Sequence, residues 1–263
     1  MGEPRALRLS IIWIVHLIGA HALVLNGLVV MAQAAVGLAL VTGRGDRLAT
    51  VASVPIALGI WWIGEGFGAL PTGFASLPQG APGAAVLYPV LAVMAWPSKG
   101  DSGRPAPPSG PAARILWAAL WCGQALLLAP WRFPSGQVLQ AGIEENNRGI
   151  ASLVRPVAAI GRFSGEHGPE VMTGLALVSI AVGAGAFAPR LARASLTAGA
   201  LLVTGFWVVF QGAGALLVGQ ATDAGTGPLV ILTAAMAWPS PVRGDDRRRN
   251  RLGVGSVSWS GNP

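Results

Sequence analysis

Ala22-Leu-Val-Leu-Asn-Gly-Leu-Val-Val-Met-Ala-Gln-Ala-Ala-Val-Gly-Leu-Ala-Leu-Val41 decides the fold, because it runs for its whole length without a charge. About 20 apolar residues, rising 1.5 Å each, cross the hydrocarbon core of a bilayer as a helix. Runs of the same kind recur at 51–70, 113–130, 171–188 and 196–218, and two shorter ones lie at 81–96 and 227–238. Backbone groups in lipid must be satisfied internally, so helices are expected. A barrel needs short segments of alternating polarity, and the chain has none. The reading is therefore an all-α integral membrane protein of about seven transmembrane helices.

Composition agrees with this. Hydrophobic residues make up 52% of the chain and charged residues 11%, with a mean hydropathy of +0.57. Soluble domains carry about 25% charged residues. The net charge of +7 is confined to short segments between or after apolar runs. That is the pattern of membrane topology, and it excludes nucleic acid as a partner. Cys122 is the single cysteine, so no intramolecular disulfide or cysteine-based metal site is expected. The apolar stretch from Ile11 continues without a small-residue cleavage site, unlike a secretory signal.

The chain also matches itself, a feature to seek early in any sequence. Shifted so that His21 falls on His167, Gly37 falls on Gly183, Arg44 and Arg47 on Arg190 and Arg193, and Trp61 on Trp207. Glu65 falls on Gln211, and Gly66, Gly68 and Gly73 fall on Gly212, Gly214 and Gly219. The spacing then shortens in a polar loop, where length is cheap to change. Beyond it, Met94-Ala-Trp-Pro-Ser98 equals Met236-Ala-Trp-Pro-Ser240. This reads as a duplication: a first repeat at 1–97, a Pro/Gly/Ser-rich linker at 98–112, a second repeat at 113–240 and a basic tail at 241–263.

Cytoplasmic loops carry an excess of Lys and Arg. Arg44 and Arg47, then Lys99, Arg104 and Arg114, then Arg190 and Arg193, and finally the arginines of the tail mark four cytoplasmic segments. The loops at 71–81 and 219–226 carry neither residue and read as external. Matched arginine pairs on one side require a helix between the repeats. The leader at 113–130 supplies it, and the repeats are then parallel, with a cytoplasmic C-terminus. The first repeat shows no equivalent leader, and the position of Arg5 and Arg8 favours a further helix upstream.

Trp61-Trp-Ile-Gly-Glu-Gly-Phe-Gly-Ala-Leu-Pro-Thr-Gly73, Gly80-Ala-Pro-Gly83 and Gly219-Gln-Ala-Thr-Asp-Ala-Gly-Thr-Gly-Pro228 resemble a group of uncharacterised actinobacterial integral membrane proteins with duplicated Gly-rich motifs. The resemblance covers nearly the whole chain. It implies a multi-pass protein of the bacterial plasma membrane, and no activity.

Glu65 stands out among the polar residues, since an ionisable side chain at membrane depth is costly and points to function. With Gln211 it forms a candidate polar site on a shared axis, to hold a cation or proton. The bland reading is an interfacial glutamate bonded to a neighbouring helix. A phosphate-loop reading of 64–69 fails, because no Lys follows and no strand precedes. Gly64, Gly68, Gly73, Gly214 and Gly219, several at small-x-x-x-small spacing, are expected to let helices pack closely. His21, His167, Thr222 and Asp223 are candidate outer-face contacts. Thr222 and Asp223 also suit capping of the helix that follows. Neither a metal site nor a cofactor is expected: the histidines lack a carboxylate at Glu-x-x-His spacing on the helices. The segment 131–166 reads as an amphipathic surface helix, and no nucleophile elbow is visible.

Two functions fit these features. One is a small-solute or ion transporter with a site near Glu65 and Gln211. The other is a non-catalytic scaffold or accessory subunit holding a membrane or extracytoplasmic partner through 131–166. The oligomeric state is not encoded in any motif, and the reading leans away from an enzyme.

Overall fold

The computed structural model describes residues 5–19, 21–72, 75–94, 96, 110–128, 140, 154–218 and 223–239. Among these it is all-helical, with no strand. In chain order the helices are α1 (Arg5–Gly19), α2 (Ala22–Thr42), α3 (Asp46–Ile63), α4 (Ala84–Met94), α5 (Gly110–Leu127), α6 (Val154–Glu166), α7 (Gly168–Gly185), α8 (Ala192–Val209) and α9 (Thr226–Ala237). Four of them, α2, α3, α7 and α8, are long and apolar enough to cross a membrane. Many apolar side chains, including Leu23, Met31, Leu177 and Leu201, are left exposed, and with the four long apolar helices this suggests a membrane protein.

Each of the seven apolar runs carries one helix, but the lengths differ. The helices α4 and α9 have 11 and 12 residues, about 17 Å at 1.5 Å per residue against a hydrocarbon core of about 30 Å. Two further helices, α1 and α6, precede α2 and α7. Each gives way at a histidine, His21 (φ −135°) or His167 (φ −117°), which stands as N-cap without a capping side-chain bond. Of the segment 131–166, α6 and Gln140 lie among the described residues.

Local chemistry sets the helix ends. Gly43 and Gly45 adopt left-handed φ of 66° and 73° on either side of Arg44. This reverses the chain between α2 and α3, and Asp46 opens α3 where an acid favours the helix dipole. The runs 51–70 and 196–218 predict longer helices than those present. The helix α3 stops at Ile63, because Gly66, Phe67, Gly68 and Ala69 all take left-handed φ between 52° and 61°. The same happens after α8, where Gly212, Ala213 and Gly214 have φ of 53°, 54° and 65°. A left-handed residue cannot continue a right-handed helix.

The core lies in the second half. Trp117 and Trp121 of α5 are fully buried, with ring centroids 5.5 Å apart, and α5 packs on both α7 and α9. Both the Trp117 indole N–H and the Ser195 hydroxyl donate to the Val182 carbonyl. The first half is looser: α3 packs on α2 and α4, and α2 contains no buried residue. The halves meet where α4 packs on α9.

Candidate functional site

The site is built from two turns and the short helices that follow them. After α3, the Gly64 and Glu65 N–H groups both bond the Ile60 carbonyl, and the Phe67 N–H reaches the Trp61 carbonyl. The chain thus widens and then curls left-handed. The curl brings Gly68 against the incoming loop, and a Cβ on Gly68 would lie 2.0 Å from the Pro82 carbonyl oxygen. Only glycine permits that approach. The Trp61 indole N–H donates to the same Pro82 oxygen at 2.6 Å, and Phe67 sits edge-on to the Trp61 ring at 4.8 Å.

Glu65 leaves this turn toward the start of α4. Its carboxylate accepts the Ala85 N–H, at 3.1 Å to Oε1 and 3.3 Å to Oε2. The first N–H groups of a helix have no partner inside it and carry the positive end of its dipole. The acid therefore closes the N-terminus of a helix that follows it through a long loop. Glu65 lies beyond the end of α3 and is half-buried.

The second turn repeats the framework with different end groups. The Trp207 indole N–H donates to the Ala224 carbonyl at 2.9 Å, and a Cβ on Gly214 would meet that oxygen at 2.8 Å. Asp223 Oδ1 accepts the Gly225 N–H at 2.7 Å, next to the start of α9. Gln211 occupies the place of Glu65 but takes different partners. Its Nε2 donates to the Leu77 and Pro78 carbonyls, each at 3.2 Å, in the loop of the first half. Thr226 reaches the same loop, donating to the Gly80 carbonyl at 2.6 Å. From α5, Gln124 Oε1 accepts the Leu77 N–H.

The structure thus brings Glu65, Gln211 and Asp223 into one region, around the loop at 75–83 and the adjoining ends of α4 and α9. It does not bring the histidines there: His21 and His167 are exposed at the starts of α2 and α7, and His167 stacks on Phe163 at 4.5 Å. No group of three His, Cys, Asp or Glu is placed to hold a metal among the described residues. The expectation of helix packing through glycine changes at two positions. Gly68 and Gly214 lie beyond the helices in left-handed turns, where they admit a carbonyl rather than a neighbouring helix. Gly64 is the right-handed C-cap of α3. Gly73, Gly219 and Thr222 lie outside the described residues.

Sequence reasoning assigns no role to Trp61, Trp207 and Gln124. The two tryptophans carry a signal, since they match one another in the self-alignment. Gln124 carries a weaker one, as an amide inside an apolar run. Comparison with protein-family models, with curated proteins and with solved structures finds no match to this chain.

Proposed function

We propose that the chain is a two-repeat transporter of the bacterial plasma membrane that moves a small cation or proton, with Glu65 as the exchanging group. In this reading the repeats are parallel, seven helices with their loops cross the bilayer, and the C-terminus is cytoplasmic. The observation that carries it is the pair of short helices, α4 and α9, which pack on each other and start from irregular, polar, Gly-rich backbone. Irregular backbone at membrane depth is tolerated where it is buried in protein or lines a polar path. Transporters place broken helices at their sites for this reason. Matched hydrogen bonds, Trp61 to Pro82 and Trp207 to Ala224, support reading the halves as repeats.

Chemically, Glu65 can exchange a proton or cation because its carboxylate is half-desolvated and held by neutral N–H donors. Taking up a proton removes the charge that closes α4, which couples occupancy to the packing of α4 on α9. The chain reconstituted in lipid vesicles with an internal pH-sensitive dye tests this, under an imposed pH gradient and then with sodium or potassium gradients. The expected result is a flux above that of protein-free vesicles, lost in Glu65→Gln. No flux with any of these ions, or flux unchanged in Glu65→Gln, removes Glu65 from the role.

The accessory-subunit reading draws on α6, where Val157, Gly161 and Ser164 are buried while Ile160 and Phe163 stay exposed. That apolar outer edge suits a membrane surface or a protein partner.

A further inference from the structure

The helix α5 buries Trp117, Trp121 and Gln124, with exposures of 0%, 0% and 2%. All three side chains can donate a hydrogen bond, but their donors end differently. The Trp117 indole N–H reaches the Val182 carbonyl. Among the described residues, neither Trp121 Nε1 nor Gln124 Nε2 has a partner. The orientation of the Gln124 amide follows from what it meets. The Leu77 N–H can only donate, so it takes Oε1 and leaves the NH2 group pointing elsewhere. A flipped amide would set donor against donor.

A donor buried without an acceptor forfeits the bonds it had in water, and native cores hold few of them. Here two lie three residues apart on one helix. Such positions are neighbours on the helix surface, with Cβ atoms about 5–6 Å apart. An acceptor atom between the two side chains can serve both.

We propose that Trp121 and Gln124 together bind a water molecule inside the protein. The chemistry of the pair selects this ligand. Both groups are neutral donors, so the ligand has to accept. An anion would lose its hydration with no positive charge to offset the loss. Arg114, the one charged residue of α5, lies two turns away and gives its Nε–H to the Ala237 carbonyl. A water molecule is neutral, accepts from both donors and returns its own protons to carbonyl oxygens, which can each take a second bond. The site also bears on the loop at 75–83. An amide whose N–H groups are engaged is a stronger acceptor at its oxygen, so the water tightens the Gln124 bond to Leu77. Gln211 holds the same residue by its carbonyl. The water thus helps to tie the core of the second half to the loop of the first, whether or not Glu65 exchanges an ion.

Radiolysis of water by X-ray pulses tests this on the full chain in lipid vesicles. Hydroxyl radicals formed from a buried water oxidise the side chain that holds it, and mass spectrometry locates the added oxygen. Trp117 is the control, with the same ring, helix and burial but a protein acceptor. The expected result is oxidation of Trp121 and none of Trp117. In Gln124→Met the water loses one of its two donors, and oxidation of Trp121 is expected to fall to the level of Trp117. Where that variant does not fold, Gln124→Asn, which draws the amide back by one methylene, takes its place. Oxidation of neither tryptophan overturns the proposal. So does equal oxidation of both, which would mean general penetration of water, or oxidation of Trp121 that stays unchanged when Gln124 is altered.

Discussion

After Ile63 the chain curls left-handed and hands its acid to the Ala85 N–H of the helix that follows. After Val209 it curls the same way and hands its amide to the Leu77 and Pro78 carbonyls of the other half. The frame is the same: a tryptophan N–H on a loop carbonyl, a glycine pressed under that carbonyl, and a short helix beyond. The acid of one turn is an amide in the other, and the partners differ with it. An ionised carboxylate can only accept, so Glu65 takes a helix N-terminus. An amide can also donate, so Gln211 reaches two loop carbonyls of the other half. One half thus closes on itself, while the other ties the two together.

The largest effect that probes this comparison comes from the glycines. Gly68→Ala puts a methyl group 2.0 Å from the Pro82 oxygen at a φ of 61°. The obstacle is backbone already tied to Trp61, so the turn has to open. We expect a loss of about 3 kcal/mol or more in reversible unfolding from detergent micelles. Gly214→Ala meets the Ala224 oxygen at 2.8 Å and is expected to cost less, about 1–2 kcal/mol. Equal losses would mean that the two turns are equally tight in solution, and the shared frame would lose its asymmetry.

A charge swap gives the next effect. Gln211→Glu removes the donor to Leu77 and Pro78 and sets a carboxylate against two carbonyl oxygens. The Leu77 carbonyl keeps the Gly80 N–H, but the lost bonds and the repulsion between the carboxylate and the two oxygens together cost about 2 kcal/mol. The same unfolding assay reads it, and addition of acid is expected to recover part of the loss, because the introduced carboxyl regains a donor once it is protonated. A neutral outcome would show that the amide does not hold the loop at 77–80.

Much of this was legible in the sequence, and the reasons are particular. The run 22–41 gives α2 almost to the residue, because twenty uncharged residues have one stable form in lipid. The self-match pairs Trp61 with Trp207, and each indole N–H donates to a loop carbonyl, that of Pro82 or Ala224. The ends of α3 and α8 were not legible. Apolarity continues to Leu70 and Val218, yet hydropathy is blind to φ, and Gly64 and Gly68, four apart, also suit a packing face. A glycine in an apolar run fits a helix face or a left-handed curl equally well until the carbonyl it must admit, Pro82 or Ala224, is in place. The cross-half bonds of Gln211, Thr226 and Gln124 were also invisible, since nothing local marks a loop carbonyl as a partner. The start of α7 is marked in the sequence, since Gly168 and Pro169 follow His167 directly and proline suits a first helical turn, whereas His21 has only Gly19 nearby.

The smallest effect belongs to Glu65→Gln, and its sign is informative. The substitution keeps an acceptor for the Ala85 N–H and loses a charge at the start of α4. The charge favours the helix end, while burial opposes it. These offset one another, so the net change near neutral pH is expected below about 1 kcal/mol. Unfolding midpoints of both proteins measure this directly. A clearly larger loss in the variant would mean that the end of α4 outweighs burial. The carboxylate would then be fixed in its charged form, and a fixed charge closes a helix but exchanges no proton.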